Sequence, residues 1–198
     1  MNVLTTINVL AAKALLAIIN LEDERKHLHG VWFDSNGRAM ATDGHLLLAF
    51  AGLQAISGPE LFVGALELKE ILKGAKPRAT LGICDDGLYV ESRRVGVAPR
   101  RADAEFKMPD WVRIVPTQFN GHAAQFDSAI VEQMRHALEI CEQLKDGALP
   151  RLVTNGPGRC AMVETSDHVM ALVMPLGVDR NPPDTNEAAA RVLRFLGT

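Results

Sequence analysis

Apolar positions along the chain change period several times, and each change marks an expected element. From Asn8 to Asn20, Val9, Leu10, Leu15, Leu16, Ile18 and Ile19 form a wide stripe among alanines, which predicts a helix. It ends at the charged run Glu22–Lys26. Apolar runs follow at His27–Phe33, Arg38–Thr42 and His45–Phe50, separated by Asn36-Gly37 and Asp43-Gly44. Those pairs predict tight hairpins with both central turn residues at positive φ. Leu61–Val63 then reads as a strand and Ala65–Lys73 as a helix closed by Gly74. Ala79–Cys84 and Leu88–Glu91 read as a hairpin around Asp86-Gly87. After an apolar opening at Ala123–Phe126, a third helix is expected from an N-cap at Asp127 or Ser128 to Leu144. Strands follow at Arg151–Thr154, Arg159–Glu164 and Val169–Met174, the first two joined by the turn Asn155-Gly156-Pro157-Gly158.

One plan therefore recurs three times, as β-α-β-β-type units. Closely spaced strands pair antiparallel, so the expected class is α+β, with antiparallel sheets carrying helices on one face. The stretch Arg93–Asn120 is charged and contains Pro99, Pro109 and Pro116, and reads as a connector. Beyond Pro175 a tail holds Pro182-Pro183 and a helix-forming run, Glu187–Leu196, within which Val192–Leu196 is an apolar segment on a tether. The domain expectation is a two-unit domain at 1–107, a connector at 108–121, a half domain at 122–177 and a tail at 178–198.

Composition narrows the function classes. With 198 residues, 47% of them apolar, the chain can bury a core and is not a disordered polymer. A net charge of −3 excludes a bulk-basic nucleic-acid binder and leaves local patches. Cys84, Cys141 and Cys160 lack C-x-x-C spacing and fit free thiols in a reducing cytosol. No run approaches the roughly 18 apolar residues of a membrane span, and Met1–Thr6 has no basic start. A cytoplasmic protein without a membrane partner is the expectation.

Candidate chemistry is sparse. His27, His29, Asp43 and His45 alternate along strands, a pattern that fits polar solvent faces better than a metal site. No nucleophile elbow, dinucleotide fingerprint or P-loop occurs, so no enzyme activity, cofactor or metal is expected. Lys13, Lys69, Lys73, Lys76, Arg78 and Arg135 lie on or beside the expected helices. They form a weak candidate for a phosphate-facing surface, against the plainer reading of solvated helix faces.

Three segments, read together, resemble one family. Leu28-His29-Gly30-Val31 with Ala41-Thr42-Asp43-Gly44-His45-Leu46-Leu47 is similar to the middle domain of the bacterial β sliding clamp, the processivity subunit of DNA polymerase III. Met108–Pro116 (Met-Pro-Asp-Trp-Val-Arg-Ile-Val-Pro) resembles the clamp's junction into its last domain, and Val173-Met174-Pro175-Leu176 its carboxyl end. The resemblance covers Thr5 to Leu176 and implies a DNA-clamp-like fold. It also implies a non-enzymatic role in replication, tethering a polymerase through short linear peptides of polymerases and other replication proteins. Carried over by position, the peptide cleft would be lined by Leu28, Thr42, Gly44, His45, Leu47, Pro109, Arg113, Ile114, Leu172, Val173, Met174, Pro175 and Leu176.

The departures bear on peptide specificity. The family usually has arginine where this chain has Leu46, methionine at Leu176 and a basic residue at Gly177. A family subunit has six units where three are seen here, which suggests a short relative of the sort a phage or prophage encodes. Two assemblies follow from the count, a homo-oligomeric ring of four chains around double-stranded DNA and a two-fold dimer. The rival function is a peptide-binding decoy or modulator of host replication proteins that forms no ring.

Overall fold

The computed structural model describes residues 2–122, 124–156 and 158–176; Ala123, Pro157 and the tail with its Val192–Leu196 segment lie outside the described residues. In the first unit β1 (Val3–Asn8) runs directly into α1 (Val9–Ala17), followed by β2 (Gly30–Phe33), β3 (Ala39–Thr42) and β4 (Leu46–Phe50). The second repeats the order: β5 (Leu61–Gly64), α2 (Ala65–Leu72), β6 (Thr80–Cys84), β7 (Gly87–Val90) and β8 (Arg93–Val95). The short β9 (Arg100–Arg101) and a 3-10 turn at Trp111–Ile114 lead to the third unit. That unit comprises α3 (Ser128–Ile140), β10 (Leu152–Val153), β11 (Ala161–Val163) and β12 (Val169–Val173).

The first two units exchange their opening strands. β1 pairs antiparallel with β6, and β5 with β2, so each unit's three-stranded meander is completed by the other unit. One product is the four-stranded sheet β1-β6-β7-β8. The third unit attaches through β12, which lies antiparallel to β4 from Val169 opposite Phe50 to Val173 opposite Leu46. This makes an eight-stranded sheet in the order β10-β11-β12-β4-β3-β2-β5-β9.

Two cores result. The helix-side core joins Leu15, Ile18, Leu68, Ile71, Met134 and Leu138 to inward strand residues such as Leu48, Leu61, Leu81 and Leu88. The other face of the large sheet buries Trp32, Met40, Leu47, Ala49 and Leu172 beneath a strap of chain that contributes Trp111, with Phe106, Met108 and Val115 packed alongside. β4 is buried along its whole length because Leu46, Leu48 and Phe50 face one core and Leu47 and Ala49 the other.

Several sequence expectations are corrected. β1 extends the first unit ahead of its helix. Its alternation is hidden by Thr5, a polar residue at an inward position whose Oγ1 donates to Gln54 O at 2.8 Å. The run beginning at Arg93 is not all connector: Val95 turns inward as part of β8, and the Arg93 guanidinium donates to Glu70 O and Lys73 O at the C-terminal end of α2. The Asn36-Gly37 hairpin is longer than two residues. Gly37 alone takes positive φ, 70°, with its N–H on Asp34 O, so a wider turn ends in a left-handed glycine. A Cβ there would lie 2.3 Å from Leu53 O. Residues 124–126 form no strand; Gln125 O instead accepts from Leu176 N at 2.8 Å. Asn8 and Asp127 are the N-caps of α1 and α3, each accepting a backbone N–H at 2.8 Å.

Candidate peptide-binding site

The seam between β4 and β12 brings the resemblance segments together. Leu47 lies opposite Leu172 and Leu46 opposite Val173, and the pairing continues past the strand ends, where Met174 N donates to His45 O at 2.8 Å. The β3–β4 turn is fixed by its own side chains. Asp43 Oδ1 accepts from His45 N at 2.8 Å and Leu46 N at 2.6 Å. Thr42 Oγ1 accepts from Gly44 N at 3.1 Å and donates to Leu46 O at 2.6 Å. Gly44 sits at φ 93°, and a Cβ on it would be 2.7 Å from Arg25 Nη2. That guanidinium grips Asp23 at 2.7 Å, donates to Asp43 O at 3.2 Å, and so ties the loop after α1 to the turn. The contact also holds the Asp23 carboxyl well below the usual carboxylate range.

Beside the seam lies a hollow of about 600 Å³ whose rim includes Arg113, Ile114, Val115, Phe119, Asn155, Arg159, Cys160 and Met174. Three of the expected lining residues meet there: Arg113, Ile114 and Met174. Pro109 borders a separate hollow of about 490 Å³ with Glu60, Asp103 and Met108, on the other side of the 3-10 turn. Gly44 and His45 are exposed, Pro175 is half-buried, and Leu176 is 48% exposed. Leu28 is buried and donates its N–H to Arg25 O at 2.9 Å. Thr42, Leu47 and Leu172 are buried on the strap side of the sheet, whereas Val173 points into the helix-side core.

Phe119, Asn155, Arg159 and Cys160 escaped the sequence reading. Asn155 and Arg159 sit in what reads as an ordinary turn, and Cys160 as a buried strand residue. No local pattern marks them; Arg159 and Cys160 come near Met174 because β11 pairs with β12, with Ala161 opposite Val173. Cys160 Sγ donates to Ile114 O at 2.8 Å, and burial pushes its thiol pKa up, which keeps it protonated. The rim carries Arg113 and Arg159, and the lining is more polar than apolar, with Ile114, Phe119 and Met174 as its apolar points, an arrangement suited to an extended peptide with acidic or carbonyl groups and a few apolar side chains. His29 Nε2 lies 2.6 Å from Asp23 O. Among the described residues no three His, Cys, Asp or Glu side chains gather as metal ligands.

The helix cations are placed differently from a phosphate cradle. Arg135 is enclosed by Glu132, at 2.5 Å, and Glu139, an acidic pair that pushes its pKa up further. Lys76 pairs with Glu91 at 3.5 Å, and Lys13 reaches Ala75 O at 3.4 Å. Lys69, Lys73 and Arg78 are exposed. The three helices among the described residues together carry three cationic side chains, Lys13, Lys69 and Arg135, and four glutamates, Glu67, Glu70, Glu132 and Glu139.

No family model and no curated protein sequence matches this chain. Solved structures do. The Helicobacter pylori beta clamp in complex with diflunisal is similar over 90% of this chain and 68% of that one, with a TM-score of 0.60 and 14% identity. The same organism's beta clamp bound to a DNA ligase peptide gives 0.57 at 13% identity, over 90% and 67%. Caulobacter crescentus pol III beta gives 0.57 at 16% identity, over 87% and 66%. The chain thus spans about two thirds of the length of these neighbours, and at such identities the likeness is one of fold.

Proposed function

Starting from the sliding-clamp fold, we propose that this protein is a non-enzymatic replication accessory factor. In this reading it binds short linear peptides of polymerases and related proteins in the cleft beside the β4–β12 seam. The supporting observation is the meeting of Arg113, Ile114 and Met174, from segments far apart in sequence, around one hollow of about 600 Å³. A neighbour of the same fold holds a DNA ligase peptide. Short peptides in open grooves bind in the micromolar range, about −8 kcal/mol. Fluorescence anisotropy with a labelled polymerase tail peptide of the clamp-binding type tests the proposal, with His45→Ala expected to weaken binding and leave the melting temperature unchanged.

A specific observation favours the reading in which the protein modulates replication partners without holding DNA. Counterion release requires cationic side chains free to meet phosphates. The helices present more carboxylates than cations, and Arg135 is already engaged by two glutamates. A processivity ring would need several chains, so light scattering at micromolar concentration separates the two: a monomer supports the modulator and an oligomer of four supports the ring.

A further inference from the structure

The strap that crosses the outer face of the large sheet, residues 104–120, is held in an unusual way. Apart from turn bonds at its two ends, to Asp103 and His122, the Cys160 thiol on Ile114 O is the one hydrogen bond among the described residues that joins it to the rest of the chain. Its other anchors are apolar contacts of Phe106, Met108, Trp111 and Val115, plus the Arg38 guanidinium stacked 4.7 Å from the Trp111 ring centroid and Arg100 stacked 3.8 Å from that of Phe106. The centre of the strap is under-packed. Hollows of about 490 Å³ and 600 Å³ flank the 3-10 turn, and Val112 and Ile114 on it are 55% and 42% exposed. Trp111, 5% exposed, carries a buried indole N–H with no hydrogen-bond partner among the described residues. A donor left dry in the closed position, and wetted when the turn lifts, favours opening.

What lies beneath matters. Thr42, Leu47 and Leu172 are expected cleft residues, yet they are 9%, 1% and 1% exposed, and the last two are packed in the cluster that Trp111 helps to cover. We propose that the strap is a lid over the deeper part of the peptide cleft. Closed, it leaves the Arg113–Ile114–Met174 hollow open and the sheet beneath covered. Lifted about Pro109 and Pro116, it uncovers a floor of Met40, Leu47, Ala49 and Leu172, adaptable and apolar, for a ligand's side chains. The lid regulates the site of the preceding proposal and rests on that reading only for its ligand; the motion itself concerns the free protein.

Two methionines provide an internal comparison. Met40, under the strap, is 1% exposed, and Met134, in the helix-side core, is 0% exposed. Mild hydrogen peroxide treatment of the intact protein, read site by site by mass spectrometry, should oxidise Met40 at least ten times faster than Met134. Trp111→Phe keeps an aromatic ring in place and removes the orphan donor, so it should slow Met40 oxidation and leave Met134 unchanged. Arg100→Ala, which removes the cation stacked on Phe106, should speed it. Equal rates at Met40 and Met134 in the wild type would overturn the lid, because Met40 would then be uncovered no sooner than a residue packed in the helix-side core. So would Met40 oxidation indifferent to both variants. Failure of a polymerase tail peptide to bind, with fast Met40 oxidation retained, would count against the peptide reading and leave the lid standing.

Discussion

In the two-unit module, β1 and β5 cross over to complete each other's sheets, whereas the third unit's strands lean on β4 alone. The parts are alike: a helix and a three-stranded meander in every case. Closure differs. The module buries its helices between two sheets, while the third unit depends on the α1–α3 contact and one strand pairing. Its first hairpin is correspondingly slight, with β10 reduced to two residues. A half closed by two sheets thus meets a half attached by one strand pairing and one helix contact, and the candidate site lies where they join. The two-unit side supplies the Asp43 turn, held by its own hydrogen bonds, and the third unit supplies Met174, Asn155 and Arg159.

The sharpest way to break this contrast is to damage each half equally. Leu81→Ala, at a fully buried position of β6, should cost about 2–5 kcal/mol and lower the whole chain's unfolding transition. Leu138→Ala, at a 1% exposed position of α3, should instead speed amide exchange in α3 and β10–β12 first, with β1 and β6 still protected. If Leu138→Ala raises exchange uniformly, the two halves form one cooperative unit and the contrast fails.

Electrostatics gives the next largest effect. Duplex DNA should show no salt-dependent retention by the protein between 50 and 200 mM salt, the roughly defined range in which phosphate contacts weaken steeply. Removing Glu132 and Glu139 together should free Arg135 and create weak, salt-sensitive binding where none existed. Strong wild-type binding that Lys69→Ala and Lys73→Ala abolish would reinstate the helix face as a DNA surface.

The smallest predicted effect is on the root of the strap. Arg100 donates to Asp103 at 2.9 Å, and Phe106 and Glu105 N–H groups add to it, which holds the Asp103 carboxyl down to about 2 from an ordinary 3.8. A depressed carboxyl pKa favours the folded arrangement while the group is ionised. Its contribution is therefore complete above the ordinary value and is lost as pH falls through about 2. Tryptophan fluorescence should report loosening of the Phe106 contact in that window, and Asp103→Asn should produce the same change at neutral pH. A flat response would show that the exposed pair adds nothing to the strap.

Much of the fold was legible because its signals are local. α2 and α3 show their stripes, Gly74 and Asp127 mark helix ends, and the turn glycines Gly37, Gly44 and Gly87 punctuate the hairpins. What escaped depended on distant partners. Thr5 looks out of place in a strand until Gln54 O accepts its hydroxyl, and Arg93 reads as solvent-facing until the end of α2 receives it. The candidate site divides in the same way. Residues Arg113, Ile114 and Met174 could be carried over by position and do share a hollow. The burial of Leu47 and Leu172 follows from where the strap lies, and the strap has no periodic pattern to announce it, although Leu172–Leu176 taken alone reads equally well as a core strand.

Titrating the free protein with a fluorescein-labelled polymerase tail peptide of the clamp-binding type, alongside Met174→Ala, tests the central claim most directly. The wild type should bind in the micromolar range and Met174→Ala about tenfold more weakly, a difference of about 1.4 kcal/mol, with both proteins melting at the same temperature. No binding by the wild type, or equal affinity in the variant, would contradict a peptide site at the β4–β12 seam.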